Sequence, residues 1–250
     1  MRPKTDKEIE AMRVGGKILA QVLNLVKKSL APGISTKELA DIAAKEVKKL
    51  GGVPSFLNHE GFKDVMCVSI NNEIVHGMPS LKKKIKGGDV VGLDFGVIYK
   101  GLYTDSAITV YVGQKTPADV SRLLKGTEEA LYAAIDAISG DGTKIGDISA
   151  AAQKVLDKYK LGIIRDLVGH GVGDEVHEAP NIPNYGIAGS GTKLSTGMTV
   201  AIEPMASLGD WHIKRAKDNW TIVMSDGSIG AHFEHTVLVT DKGAEILTAL

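Results

Sequence analysis

Residues 93–107 read LDFGVIYKGLYTDSA. Two strand-like runs flank the turn Tyr99-Lys100-Gly101. Each run carries an acid, Asp94 or Asp105, where a strand normally buries an apolar side chain. If the turn centres on Tyr99-Lys100, residues 94 and 105 lie directly opposite each other on one face, with Cβ atoms ~5 Å apart. Two like charges at that spacing repel, and burial sharpens the repulsion. A chain that points two acids at its own core needs something to hold them there.

Working outward, the hairpin closes the first of two similar halves. Helical periodicity predicts a helix between about Lys7 and Leu30, with Ile18, Val22, Leu25 and Val26 on one stripe. A second helix starts at Ser35, where Ser35 and Glu38 form a capping-box pattern and Gly51 is the expected C-cap. A third opens at Thr116-Pro117, and a fourth covers about Lys144 to Tyr159. Strand-like runs follow each helix pair, at 64–70, 89–98 and 103–111, then at 163–168, 198–205, 220–224 and 233–239.

This order suggests duplication. A shift of 109 residues lays Gly33, Glu38, Leu39 and Lys45 on Gly142, Asp147, Ile148 and Lys154. The same shift of 109 lays Gly88, Val91, Leu93 and Asp94 on Gly197, Val200, Ile202 and Glu203. A shift of 101 lays Val75-His76 on Val176-His177, and one of 129 lays Asp105 on Glu234. Longer loops in the second half explain the changing shift. The expectation is one α+β unit over 1–250, with pseudo-equivalent halves of about 1–113 and 114–250. An antiparallel sheet core would be shared edge to edge and the helices would pack outside it.

On the pseudo-twofold axis Asp94, Asp105, Glu203 and Glu234 would meet, with His76 and His177 facing each other across it. A protonated pair or a wet face would account for a single hairpin. Matching acids in both halves argue for something more. The flanking strands supply no basic residue at the matching positions, whereas two divalent cations would cancel four carboxylates. An oxygen-rich site with one imidazole suits Mn²⁺, Fe²⁺, Co²⁺ or Zn²⁺ without choosing among them. Two such ions ~3.5–4 Å apart can share a water and deprotonate it at neutral pH. His170, between glycines in GHGVG, is the candidate imidazole. His76 in EIVHGMP and His177 in DEVHEAP are candidates to polarise a carbonyl or assist a leaving amine. His59, His212, His232 and His235 have weaker claims to chemistry. Strand alternation turns His235 away from Glu234.

Composition narrows the function classes. The 250 residues are 43% hydrophobic, 24% charged and of zero formal net charge, which fits a globular protein and argues against nucleic acid as its main partner. The basic run LKKKIK at 81–86 reads as a solvated loop. One cysteine, Cys67, excludes an internal disulfide and fits a reducing compartment. MRPKTDKEIE lacks the apolar core of a signal peptide, and no apolar run approaches the ~20 residues of a membrane span. A cytoplasmic monomer without membrane contact is expected.

The segments SINNEIVHGMP, GGDVVGLDFG, TDSAITV, GHGVGDEVHEAP, GMTVAIEP and FEHTVLVT together resemble, in order and spacing, the motifs of the type I methionine aminopeptidases. These are metallopeptidases of the pita-bread fold. The resemblance covers essentially the whole chain. It implies that Asp94 chelates one metal, that Asp105 and Glu234 bridge both, and that His170 and Glu203 complete the second. It further implies that Glu203 moves the proton of the attacking water, that His177 stabilises the oxyanion, and that His76 contacts the scissile amide. Cys67, Phe62, His59 and Trp220 fall where the family lines its methionine pocket, although His59 and Val176 stand where relatives often carry aromatic rings. The implied substrates are the N-termini of nascent polypeptides, with the ribosome as a possible partner. The 33-residue step from His170 to Glu203 leaves no room for the large insertion of type II relatives. Two other readings stay open: an X-Pro aminopeptidase or prolidase of the same fold, and a non-catalytic binding module that has kept it.

Overall fold

A computed structural model of the chain describes residues 1–250. The first half runs α1 (Asp6–Ser29), α2 (Thr36–Lys49), β1 (Val53–Pro54), β2 (Cys67–Ile70), β3 (Glu73–Val75), β4 (Val90–Tyr99) and β5 (Leu102–Tyr111). The second runs α3 (Ala118–Asp136), α4 (Ile145–Lys158), β6 (Gly162–Ile163), β7 (Val168–Gly171), β8 (Glu178–Pro183) and β9 (Thr199–Ile202). It continues through β10 (Met205–Ser207), β11 (Ile213–Arg215), β12 (Ile222–Met224), β13 (Gly230–His232), β14 (Glu234–Thr240) and β15 (Gly243–Ile246).

The helix starts follow from their caps. Thr5 and Glu8 close a capping box on α1, and Ser35 and Glu38 close one on α2, as the sequence pattern required. α3 begins one residue later than expected, with Pro117 itself at the cap position and no side-chain cap. No helix is long and apolar enough to cross a membrane.

One antiparallel sheet runs β1-β4-β5-β14-β9-β7-β8, with β2 added on β4 and β15 on β14. Along β4, Val91, Leu93, Phe95 and Val97 are buried in a core with Ile18, Leu19 and Val22 of α1 and Leu39, Ala43 and Val47 of α2. Gly92, Asp94 and Gly96 therefore face the other way. A second core packs Leu123, Leu131 and Ile135 of α3 and Ile148 and Leu156 of α4 against Val200, Ile202, Val237 and Val239.

The halves meet where β5 pairs with β14, Glu234 opposite Ala107 and His235 opposite Ser106. Side chains stitch this seam. The Thr236 hydroxyl accepts from the Asp105 N–H and donates to the Asp105 C=O, each at 2.8 Å. The Ser106 hydroxyl donates to the Glu234 C=O at 2.6 Å. The duplication is visible in the hydrogen bonds themselves. Bridges Ser35–Lys84 and Lys144–Lys193 recur at equivalent places. So do the bonds from Gly33 N–H to Ile85 O and from Gly142 N–H to Leu194 O, both 2.8 Å.

The structure corrects several expectations. The hairpin turn centres on Lys100-Gly101, with Tyr99 opposite Leu102, so Asp94 pairs with Ala107 and Asp105 with Gly96. The acids are diagonal neighbours rather than directly opposed, which leaves more space between them. The expected strands at 163–168 and 198–205 each break in two, into β6 and β7 and into β9 and β10. The basic run at 81–86 is not simply solvated: Ile85 is buried in the first core, Lys83 pairs with Glu73 and Lys84 with Glu38.

Candidate metal centre and substrate pocket

Five neighbouring strands each bring one side chain to a common point. β4 carries Asp94, β5 Asp105, β14 Glu234 and β7 His170, and Glu203 follows the last residue of β9. In the sheet order β4-β5-β14-β9-β7 these strands are contiguous. Asp105, Glu234 and His170 are buried, and each offers a ligand atom within 4.8 Å of the others. His170 Nε2 lies 3.4 Å from Glu203 Oε1 and 3.9 Å from Glu234 Oε1. Its Nδ1 lies 2.9 Å from the Gly171 C=O. A carbonyl only accepts, so Nδ1 carries the proton and Nε2 presents a lone pair to the acids.

Buried carboxylates of like charge drive each other toward the neutral form. Burial, partly offset by His232 and reinforced by Glu203, pushes Asp94 up to about 7. Burial, then Asp94 and Glu203, raise Asp105 well above the carboxylate range. Glu234 is raised well above it by burial and by Asp105, Glu203 and Asp94. Glu203 moves the opposite way. Burial raises it, but His232, His170 and His177 together outweigh that and hold it below its ordinary value. Asp94 Oδ1 and Glu234 Oε1 are buried and have no hydrogen-bond partner among protein atoms. Orphaned carboxylate oxygens beside an imidazole lone pair are the donor set of a divalent cation. The residues present fit such an ion.

The cluster lines a cavity of about 320 Å³. The main candidates from the sequence line it: Asp94, Asp105, His170, Glu203 and Glu234, the histidines His76 and His177, and His59, Phe62, Cys67 and Trp220. One end is apolar. Phe62, Cys67, Val176 and Phe56 form a buried cluster against which Trp220, Met78 and Tyr103 pack, and the Phe62 and Trp220 rings meet edge-on at 5.4 Å. Cys67 sits opposite Asp94 in the register of β2 and β4, so this end abuts the acids. The His177 ring lies 4.5 Å from that of His170 and 5.3 Å from that of His59. Burial and the nearby His170 take His177 down to about 4, and burial likewise lowers His76. Both are therefore neutral near pH 7. His76 holds φ at +58°, a left-handed conformation that a non-glycine residue adopts at some cost.

Nine further lining residues were not singled out for the site by the sequence, Phe56 and His232 among them. Phe56 gave no signal beyond being aromatic. His232, which had a weak claim, is buried with Nε2 3.3 Å from Glu203 Oε2. Its position two residues before Glu234 was the available clue, because strand alternation puts both on one face. It lacked the second clue, since the equivalent position in the first half is Tyr103. His235 and His212 stay outside, the former against Thr248 and the latter stacked on Trp211 and bonded to Asp210.

The model of metallopeptidase family M24 matches residues 10–241. The chain belongs to that family. Within M24 it is 45% identical to a methionine aminopeptidase of Aquifex aeolicus, covering 98% of both chains. It is 43% identical to methionine aminopeptidase 1 of Bacillus subtilis, again covering 98% of each. Among solved M24 structures, a methionine aminopeptidase from Thermotoga maritima superposes with a TM-score of 0.97 at 46% identity, over 100% of both chains. Prolidase from Pyrococcus furiosus gives 0.81 at 25% identity, and its match spans 99% of this chain but 65% of its own. The pita-bread fold is thus common to both groups, and the sequence sides with the methionine aminopeptidases. This M24 chain is an enzyme of the hydrolase class, and its family membership carries divalent-metal use with it.

Proposed function

We propose that this enzyme removes N-terminal methionine from nascent proteins and peptides, acting as a monomer in the cytoplasm on chains leaving the ribosome. The observation that carries the reading is the junction of two unlike surfaces in one cavity: the cluster Asp94, Asp105, His170, Glu203 and Glu234 directly abuts an apolar end lined by Phe62, Cys67 and Trp220. An unbranched thioether fits that end by dispersion and by sulfur–aromatic contact. His59 and Val176 shape the same end.

Asp94, Asp105 and Glu234 would hold one divalent ion, with Asp105, Glu234, His170 and Glu203 around a second. Ions there supply Lewis acidity and lower the pKa of a water in their reach. Manganese, iron, cobalt and zinc all suit the donor set.

The side chains divide the remaining work. Glu203, held ionised by its imidazole neighbours, takes the proton of the attacking water and later delivers it to the departing nitrogen. Water adds to the scissile carbonyl carbon, and the C–N bond breaks to give free methionine and a peptide one residue shorter. His177, neutral near pH 7, donates a hydrogen bond to the carbonyl oxygen as negative charge grows on it. His76, fixed by its left-handed backbone, does the same for the scissile amide.

The assay that tests this offers Met-Gly-Met and an X-Pro dipeptide to Mn²⁺-loaded protein. Release of methionine from the tripeptide alone supports the reading. Turnover of only the proline substrate would give the site to the prolidases, and turnover of neither would give it to a binding module.

A further inference from the structure

The mechanism above gives His232 no contact with substrate, yet the chain mounts it rigidly beside the base. The Thr109 hydroxyl donates to the His232 C=O at 2.7 Å and accepts from its N–H at 3.0 Å. β10 pairs along the same residue, with Met205 opposite. Its Nε2 lies 3.3 Å from Glu203 Oε2 and 3.9 Å from Glu234 Oε2, buried and with no aligned hydrogen bond. His170 stands across the same carboxylate at nearly the same spacing, 3.4 Å from Glu203 Oε1 and 3.9 Å from Glu234 Oε1. Two imidazoles thus straddle Glu203, one to each oxygen.

They are not equivalent. The Gly171 carbonyl fixes the His170 proton on Nδ1 and leaves Nε2 as a ligand. His232 Nδ1 makes no hydrogen bond within the protein that would hold a proton there, so Nε2 is free to carry it. A protonated Nε2 facing Oε2 satisfies both groups, whereas a lone pair there would face a carboxylate with no proton between them.

We propose that His232 is a positioning residue for Glu203: its Nε2–H donates to Oε2 and holds the carboxylate so that Oε1 is presented to His170 and the acid cluster. The inference rests on the reading of Glu203 as ligand and base. A carboxylate clamped on one oxygen keeps a fixed plane and cannot swing both oxygens toward an ion. That is how a neighbour outside the ligand set governs a base without touching substrate.

Three variants of known metal content test it: wild type, His232→Ala and His232→Gln, assayed on Met-Gly-Met with Mn²⁺ and titrated with Mn²⁺ by calorimetry. For His232→Ala, kcat falls about 10- to 100-fold, KM changes by less than about threefold, and Mn²⁺ stoichiometry is kept. His232→Gln, whose amide N–H reaches for the same oxygen, recovers most of kcat. A wild-type kcat in His232→Ala overturns the proposal. So does a change confined to KM, which makes His232 a substrate contact, or equal loss in both variants with Mn²⁺ missing, which makes it a ligand. If the variants misfold, the Mn²⁺-bound wild-type crystal structure decides: an Nε2–Oε2 distance of about 2.7–3.0 Å supports the clamp, and an Nε2 turned to an ion or away from Glu203 overturns it. Failure of wild type to cleave Met-Gly-Met would instead sink the functional reading before any variant is compared.

Discussion

Glu203 and Asp94 have opposite electrostatic fates although both carboxyls line one cavity. Imidazoles surround Glu203 and keep it ionised, whereas Asp94 is pushed up to about 7. Replacing Glu203 by Gln removes the base while preserving shape, and kcat on Met-Gly-Met is expected to fall by about 10²-fold or more. Thermal melting should show the fold intact. The raised acids make a second prediction. Asp94, Asp105 and Glu234 bind protons more tightly folded than unfolded. Their contribution to stability is therefore full below the ordinary carboxylate range and is lost as pH rises, for Asp94 through about 7. Chelator-treated protein should melt lower at pH 8 than at pH 5.5, and Mn²⁺ should raise the melting temperature more at pH 8. The reverse order would show that the acids are not mutually repelling. At this scale the meeting of the acids was legible because each acid has a counterpart in the other half. The spacing of Asp94 and Asp105 was not legible, since one residue in the turn centre changes every partner along the hairpin. His232 was missed because it has no counterpart.

At the scale of elements, caps and alternation carried most of the reading. Ser35 accepts from the Glu38 N–H, and Glu38 accepts from the Ser35 N–H, which fixes the start of α2. Ser35→Ala should cost about 1 kcal/mol in chemical denaturation, with the m-value unchanged. Bonds from the Ser35 hydroxyl and N–H and from Lys84 bring Glu38 down to about 2. A depressed acid contributes above its ordinary pKa and stops contributing as pH falls through the folded value. The stability difference between wild type and Glu38→Ala should therefore be present at pH 7 and fade between about pH 4.5 and 2. The short strands β3, β8, β11 and β13 were not legible. They are 3 to 6 residues long, and β8, EAPNIP, carries two prolines that argue against a strand when read locally. Pairing with β7 at the sheet edge makes it one.

Across the whole molecule the decisive contact is the seam between β5 and β14, which sets Asp105 of one half beside Glu234 of the other. Thr236 serves both backbone groups of Asp105 through one hydroxyl. Thr236→Val keeps the shape and strands that buried N–H and C=O, so it should cost about 1–3 kcal/mol and weaken Mn²⁺ binding together with stability. A loss of stability with unchanged Mn²⁺ affinity would mean that the seam does not position the acids. The duplication could be read from chain-order matches alone, but the joining edge could not, since nothing local says which strands become neighbours. The sharpest test is a crystal of this protein grown with Mn²⁺, with anomalous scattering recorded near the manganese edge. Anomalous density is expected between Asp94, Asp105, His170, Glu203 and Glu234, each with an atom in coordinating range. Those five side chains free of anomalous density, with manganese bound elsewhere or nowhere, would contradict a metal centre there.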